Sequence, residues 1–198
     1  QLSPPSKKLA KPSQVMPTTA SETDEAIAKI IANYVEDGSV LQVGVGAIPD
    51  AVMRLSRDRK DLGVHSGMIG DGYVDLVEAG VMTNARKPFD TGIGIAGALI
   101  GSKRLFDHAH KNKAIRMCSA AITHEESVLV RIPKLVTINS AVEIDLTGQV
   151  NAEASGSAYM GGTGGQVDYV RAGSRSPGGH SIIALSATAK GGSLSKIV

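Results

Sequence analysis

Two glycine-rich stretches are the parts of this sequence best suited to bind a ligand through backbone groups. Residues 43–52 read VGVGAIPDAV, which predicts a strand, a Gly-x-Gly turn and a helix with Pro49 in its first turn. Residues 159–173 read YMGGTGGQVDYVRAG and place four glycines before a helix-like segment. Backbone N–H groups at such turns can bind a phosphate or stabilise an oxyanion. For 43–52 a plain structural turn is an equal alternative, and the spacing does not fit the dinucleotide fingerprint.

Few titratable side chains could join these loops in catalysis. Glu143 and Asp145 lie two residues apart in a strand-like run, so they share one face and could act as an acid–base pair. A solvated strand face explains the same pattern equally well. Lys190 precedes another glycine pair and could supply a point charge for a phosphate, although such lysines are usually on the surface. His65 and His124 lie at the ends of predicted elements, with a spacing that fits no metal motif.

The composition predicts one α/β domain and excludes several classes of protein. The chain has 198 residues, 42% hydrophobic and only 3% aromatic, so its core must consist of Val, Ile, Leu and Ala. Its net charge of +2 is dispersed, which excludes a nucleic-acid surface with stacking aromatics. The single cysteine excludes a disulfide framework and a cysteine-based zinc cluster. No apolar run approaches the length of a membrane span, which predicts a soluble cytoplasmic protein.

The elements needed to position the glycine loops alternate along the chain. Strands are predicted over residues 40–45, 62–65, 94–100, 114–118, 135–144 and 181–185, with helices between them. This alternation predicts an α/β fold with an open, mostly parallel sheet and flanking helices. A capping box at Ser21 begins the first helix, and Gly38 is predicted to end it. Residues 143–160 resemble a hairpin with Gly148 at its turn.

The predicted domain does not occupy the whole chain. Residues 1–20 are rich in Pro and Ser and lack periodicity, which is typical of a linker or leader. Residues 21–198 form the predicted domain, and they end just after a strand, with no closing helix. The domain is therefore expected to be incomplete at its C-terminus.

Five blocks of the sequence resemble the acetyl-CoA hydrolase/CoA-transferase family, which includes the 4-hydroxybutyrate CoA-transferases. In order they read LQVGVGAIPDAV, LGVHSGMIGDGYVDLVEAGVMTN, INSAVEIDLTGQVNAE, GGTGGQVDYVRAG and SIIALSATAKGGSLSKIV. The likeness covers roughly residues 22–198 and is to the C-terminal half of such proteins. It implies a domain of the NagB/RpiA/CoA-transferase type. It also implies a separate N-terminal half or partner domain, and a homo-oligomer.

The resemblance also implies the ligand and its site. Acyl-CoA and a small carboxylate are the expected substrates, with coenzyme A carried as a thioester and no metal involved. In such proteins a glutamate attacks the acyl-CoA, forms an anhydride and then a glutamyl-CoA thioester, from which a second carboxylate collects the CoA. The implied CoA-binding residues are Gly44, Val45, Gly46, Ala47, Ile48, Val142, Gly164, Gly165 and Lys190.

One position departs from the family pattern. The turn that carries the nucleophilic glutamate reads His-Ser-Gly-Met in this sequence, so Gly67 stands at the nucleophile's place. Another carboxylate could serve instead, with Glu143 the first candidate because its neighbour Val142 lines the implied CoA site. Alternatively the chain hydrolyses acyl-CoA with water, or is a non-catalytic CoA-binding or assembly domain. An engineered or sequence-level change at Gly67 is the third, less favoured explanation.

Overall fold

The protein is described as a computed structural model that covers residues 19–44, 46–159, 161–162 and 164–198. Of the predicted leader, residues 1–18 lie outside the described residues, as does Val45. Within the described ranges, none of the helices combines the length and the apolar character needed to cross a bilayer.

Strands and helices alternate along most of the chain, as the sequence predicts. The strands are β1 (Val40–Val43), β2 (Gly63–Ile69), β3 (Gly94–Leu99), β4 (Ile115–Met117), β5 (Leu135–Asn139), β6 (Glu143–Ile144), β7 (Val150–Asn151), β8 (Ala154–Ser155), β9 (Ala158–Tyr159), β10 (His180–Ile183), β11 (Thr188–Ala189) and β12 (Leu194–Ser195). The helices are α1 (Glu22–Ala32), α2 (Ala47–Leu55), α3 (Asp71–Glu78), α4 (Lys103–Ala109), α5 (Ala120–Thr123), α6 (Glu126–Leu129) and α7 (Gln166–Arg175), with a 3₁₀ turn at Lys190–Gly192.

Six of the strands form one parallel sheet in the order β10-β5-β1-β2-β3-β4. The predicted α/β class with a parallel sheet and flanking helices is therefore confirmed. From β1 the chain proceeds outward through β2, β3 and β4, and it then returns to the other side of β1 with β5 and β10. Strands that diverge in this way leave a crevice at their carboxyl ends, where α/β proteins bind ligands.

The two faces of the sheet carry different cores. Leu41 and Val43 of β1 pack into a large apolar cluster with helices α1 to α4. Val40 packs into a smaller cluster with helices α6 and α7, the latter through Tyr169. Because side chains alternate along a strand, Gln42 shares the α7 face with Val40. A polar side chain at the end of a buried strand is thus directed toward the α7 side of the crevice.

Three local predictions are confirmed and three are wrong. The capping box of α1 is present, with Ser21 accepting from the N–H of Asp24. A parallel β5 and an antiparallel β6–β7 hairpin with Gly148 at positive φ are also present. Gly38 does not cap α1, because the helix already ends at Asn33. The predicted strand over 135–144 is interrupted between β5 and β6.

The third error concerns the stretch that contains Gly67. The sequence suggested a His-Ser-Gly turn after a short strand, but these residues continue β2 to Ile69. They do so because β3 pairs alongside them, with Met68 opposite Ala98 and Ile69 opposite Leu99. Gly67 therefore has the fixed position of a strand residue rather than the freedom of a loop.

Candidate functional site

A cavity of about 210 Å³ opens at the carboxyl ends of the central strands. It lies where β1 and β5 diverge, which is the topological switch point of the sheet. Its walls come from the ends of β1, β2 and β5, from the residue after α5, and from the start of α7. The lining residues are Gln42, Gly44, Gly67, Met68, His124, Asn139, Ser140, Gly164, Gly165, Gln166 and Tyr169.

A pair of amide side chains joins the two strands at this crevice. Gln42 Nε2 donates to Asn139 Oδ1 at 3.3 Å, and Asn139 Nδ2 donates to Gln42 Oε1 at 3.1 Å. On the other side of β1, the Ser66 hydroxyl donates to the carbonyl oxygen of Val43 at 3.1 Å. These bonds fix the ends of three strands relative to one another. The cavity is therefore built on the rigid sheet.

The α7 side of Gly67 is occupied by an imidazole ring. A Cβ atom placed on Gly67 would lie 2.9 Å from both Cε1 and Nε2 of His124, and 3.3 Å from the hydroxyl oxygen of Tyr169. The same ring lies against Gly165, whose added Cβ would come within 2.0 Å of His124 Cδ2 and 2.1 Å of Nε2. His124 thus fits between two glycines, and a side chain at either would displace it.

Two neighbours hold the His124 ring in place. Its Nδ1 lies 2.8 Å from Oγ1 of the buried Thr123. The Tyr169 ring packs against it with 4.8 Å between the ring centroids, and the Tyr169 hydroxyl donates to the Thr123 carbonyl oxygen at 2.7 Å. Burial raises the pKa of Tyr169, so this phenol stays protonated and keeps its hydrogen bond. The arrangement orients the imidazole from two sides.

Some of the residues implied as CoA ligands meet at this cavity. Gly44, Gly164 and Gly165 line it directly. Gly46, Ala47 and Ile48 form the start of α2, next to Gly44. Val45 lies outside the described residues. Val142 and the exposed Lys190 are absent from the described lining, and their roles stay predictions of the resemblance.

The structure does not bring the two candidate carboxylates to the cavity. Glu143 accepts a hydrogen bond from Asn151 Nδ2 at 2.8 Å and lines a different pocket, on the β6–β7 hairpin. Asp145 lies beyond β6 and accepts from the Thr147 hydroxyl and from the N–H groups of Gln149 and Thr147, bonds that lower its pKa. Glu143 and Asp145 both line the pocket on the hairpin rather than the cavity at the switch point, and their role as an acid–base pair stays a prediction. Within the described residues, no cluster of His, Cys, Asp and Glu could hold a metal.

His65, the other candidate histidine, lies in the protein interior. Its side chain is 0% exposed, and Nε2 is 3.3 Å from the carbonyl oxygen of Ile122. Nδ1 is buried with no hydrogen-bond partner among the residues that the structure describes. Burial lowers the pKa of His65 to about 4, because the imidazolium would lose its hydration. His65 is a neutral core residue.

Acid should destabilise the protein through His65. Its pKa rises from about 4 to the ordinary histidine value of 6.5 on unfolding, so the unfolded state binds more protons between these pH values. Stability therefore falls as the pH drops through this window, by about 3 kcal/mol at pH 4. We expect the difference in unfolding free energy between wild type and His65→Gln, from urea titrations, to change by that amount. A difference that stays constant with pH would contradict this assignment.

Sequence reasoning found the glycines of the site but missed its side chains. His124 stood out only as a histidine at the end of an element, without a role. Gln42 and Tyr169 were not singled out at all. The one available signal was the polar Gln42 inside the apolar run VLQV, a residue type that is rarely buried in a strand without a hydrogen-bond partner.

The chain is similar to a known protein family and to enzymes named as CoA transferases. Residues 101–198 match the family model of the acetyl-CoA hydrolase/transferase C-terminal domain. The 4-hydroxybutyrate coenzyme A transferase of Clostridium kluyveri is 39% identical over 93% of this chain and 43% of its own length. A succinyl-CoA:acetate/propanoyl-CoA:succinate CoA transferase of Fasciola hepatica is 43% identical over 80% of this chain and 33% of its own. The chain thus spans less than half the length of these relatives.

Solved structures share the fold closely. RipA from Yersinia pestis superposes with a TM-score of 0.85 at 35% identity, covering 93% of this chain and 41% of that protein. The 4-hydroxybutyrate CoA-transferase from Porphyromonas gingivalis gives a TM-score of 0.83 at 34% identity, covering 93% of this chain and 44% of the other.

Proposed function

Because this chain belongs to the acetyl-CoA hydrolase/transferase family, we propose that it is the domain that holds the CoA thioester in an enzyme acting on acyl-CoA. The observation that carries the proposal is that glycines line the cavity at the switch point of the sheet. Gly44 after β1, Gly67 in β2 and Gly164 before α7 all line one cavity. A thioester can therefore approach the backbone closely at Gly44 and Gly164, whereas the His124 ring lies against Gly67.

The local geometry suits the carbonyl group of a thioester. A Cβ added at Gly44 or Gly164 would meet no described atom within 4 Å, so each position borders open space. Helix α7 begins at Gln166, and its free N–H groups are directed toward the start of the helix, beside the cavity. Such groups stabilise the negative oxygen that develops when a thioester is attacked.

The names of the relatives support transfer of CoA between acyl groups as the chemistry of the whole protein. The proposed substrates are an acyl-CoA and a small carboxylate, with coenzyme A as part of the substrate. The remaining length of the relatives supports a further domain or partner completing the crevice, and we propose that the assembled enzyme is a homo-oligomer. A non-catalytic CoA-binding domain is the second candidate, since Gly67 replaces the expected nucleophile.

Two matched glycines test the placement of the CoA thioester. Gly164 has φ +56° and Gly156 has φ +58°, and an added Cβ would meet none of the described atoms within 4 Å at either. Only Gly164 lines the cavity. Asparagine tolerates this backbone region, so Gly164→Asn and Gly156→Asn should cost similar, small amounts of stability. We expect Gly164→Asn to weaken acetyl-CoA binding in the full-length protein at least tenfold, by calorimetric titration, and Gly156→Asn to leave it unchanged.

Wild-type affinity for acetyl-CoA in both variants would show that the CoA thioester does not bind in this cavity. Equal losses of affinity, with matching falls in melting temperature, would show that the glycine loop is merely structural. Binding that depends on Gly164 without any turnover of acyl-CoA would favour the non-catalytic candidate.

A further inference from the structure

We propose that His124 is a general base that activates water against the bound thioester, so that this protein hydrolyses acyl-CoA. The inference rests on the proposed function, because it requires the CoA thioester to lie in the cavity beside Gly67. It goes further by naming the residue that activates water for the hydrolysis that the sequence left as an alternative. Three features of the cavity support it: the position of the His124 ring, its orientation, and the composition of the cavity wall.

The ring occupies space that the absence of a side chain at Gly67 leaves free. With Nε2 2.9 Å from the position of a Gly67 Cβ, a side chain there and the imidazole could not share their present places. On the other side of the ring, a Cβ added to Gly165 would lie 2.1 Å from Nε2, so the ring also needs a glycine there. Glycine at both positions therefore lets a basic nitrogen reach the part of the cavity that borders β2.

The hydrogen-bond partners of His124 accommodate the tautomer that a general base needs. Thr123 Oγ1 donates to the carbonyl oxygen of Ser119 at 3.4 Å, so its lone pairs are free to accept. In the proposed base, His124 Nδ1 donates over 2.8 Å to Thr123 Oγ1, the tautomer that leaves the lone pair of the imidazole on Nε2. Nε2 has no hydrogen-bond partner among the described residues, and its ring lines the cavity. Thr123 thus orients the base as a third group does in a catalytic triad.

No other group in the described cavity wall competes for this role. The lining contains no Asp, Glu or Lys within the described ranges. The phenol of Tyr169 is held protonated by burial and donates its proton to the Thr123 carbonyl oxygen. The remaining polar groups are amides and one serine hydroxyl, which do not accept a proton at neutral pH. The cavity volume of about 210 Å³ also leaves room for a water beside the thioester, since a water needs only about 30 Å³.

The reaction balances with water as its only co-substrate. Nε2 takes a proton as the water oxygen bonds to the thioester carbonyl carbon, and the carbonyl oxygen becomes an oxyanion. The carbon–sulfur bond then breaks with its electron pair moving to sulfur, and the imidazolium returns the proton to the CoA thiolate. The products are the free carboxylic acid and coenzyme A, with no change in oxidation state.

Chemical rescue tests the role of His124. In the full-length protein, His124→Ala should lower kcat for CoA-thiol release from acetyl-CoA about 100-fold, because general bases contribute at least that factor. Acetyl-CoA affinity should stay within about twofold, and added imidazole should restore part of the rate, because it fits the space that the side chain leaves. His110→Ala is the matched control, since His110 is exposed and absent from the described cavity wall. It should retain the wild-type rate.

Each other outcome overturns a definite part of the argument. A wild-type rate in His124→Ala would show that His124 is not the general base. If the alanine variant does not fold, the same rate in His124→Gln would show it. A slow variant that imidazole does not rescue, with a lower melting temperature, makes His124 a packing residue and overturns the proposal. If wild-type protein binds acetyl-CoA but releases no CoA thiol, the proposed hydrolysis is wrong and the proposed function still stands. Wild-type protein that does not bind acetyl-CoA overturns the proposed function.

Discussion

Gly67→Glu combined with His124→Ala is expected to trap coenzyme A covalently, whereas Gly67→Glu alone is expected to trap far less. If Gly67 stands at the nucleophile's position, a glutamate there can attack acyl-CoA and form a glutamyl-CoA thioester. With His124 present, the new Cβ lies only 2.9 Å from the ring. Overpacking of this kind costs about 1–3 kcal/mol, which corresponds to roughly a tenfold or larger difference in occupancy of the reactive geometry. Removing the imidazole relieves that cost.

Intact mass after incubation with acetyl-CoA measures the effect. The double variant should gain the mass of a CoA adduct that borohydride removes, in at least about tenfold higher yield than Gly67→Glu. Gly67→Gln/His124→Ala is the matched control, because glutamine has nearly the same size but cannot attack a thioester. Equal adduct in the single and double variants would show that His124 does not occupy the glutamate's space. No adduct in either, with CoA binding intact, would show that Gly67 is not the nucleophile's position.

The order and type of the main elements could be predicted from the sequence because they depend on local patterns. Apolar runs such as VLQV and the capping box at Ser21 act within a few residues of chain. Two of the three boundaries that failed depend on other parts of the fold. β2 extends through Gly67 because β3 supplies hydrogen-bond partners there. α1 stops before Gly38 because the chain must turn toward β1, and Gly38 serves a later turn at φ +78°.

The candidate site could be predicted in its backbone but not in its side chains. Glycine spacing pointed to Gly44, Gly164 and Gly165. A ligand can approach the backbone closely only where side chains are small, so such positions can be recognised as glycines in the sequence. His124 lies 57 residues after Gly67 and 41 before Gly165, so only the folded sheet brings the three together. Glu143 attracted attention as a carboxylate near a family position, and the hairpin pairing directs it to Asn151 instead.

Gly165→Ala is expected to abolish most acyl-CoA hydrolysis, although alanine is the smallest possible addition. The backbone tolerates the change, because Gly165 has φ −85° and ψ 4°, values open to any residue. The methyl group, however, would overlap His124 Cδ2 at 2.0 Å and Nε2 at 2.1 Å. The imidazole must leave its place between the two glycines, so the rate should fall about as far as in His124→Ala, roughly 100-fold.

A double-mutant cycle isolates that cause from a general effect on the loop. Once His124 is alanine, the Gly165 methyl has lost its two closest contacts, so Gly165→Ala should cost little further rate or stability. The coupling free energy for unfolding should be about 1–3 kcal/mol, the usual cost of an overpacked contact. Gly162→Ala is the control in the same loop, since the one described atom within 4 Å of its added Cβ is the Tyr159 hydroxyl oxygen, at 3.7 Å. Additive effects of the two substitutions, or full activity in Gly165→Ala, would mean that the His124 ring is not confined between Gly67 and Gly165, and the water-activating role assigned to it would lose its structural basis.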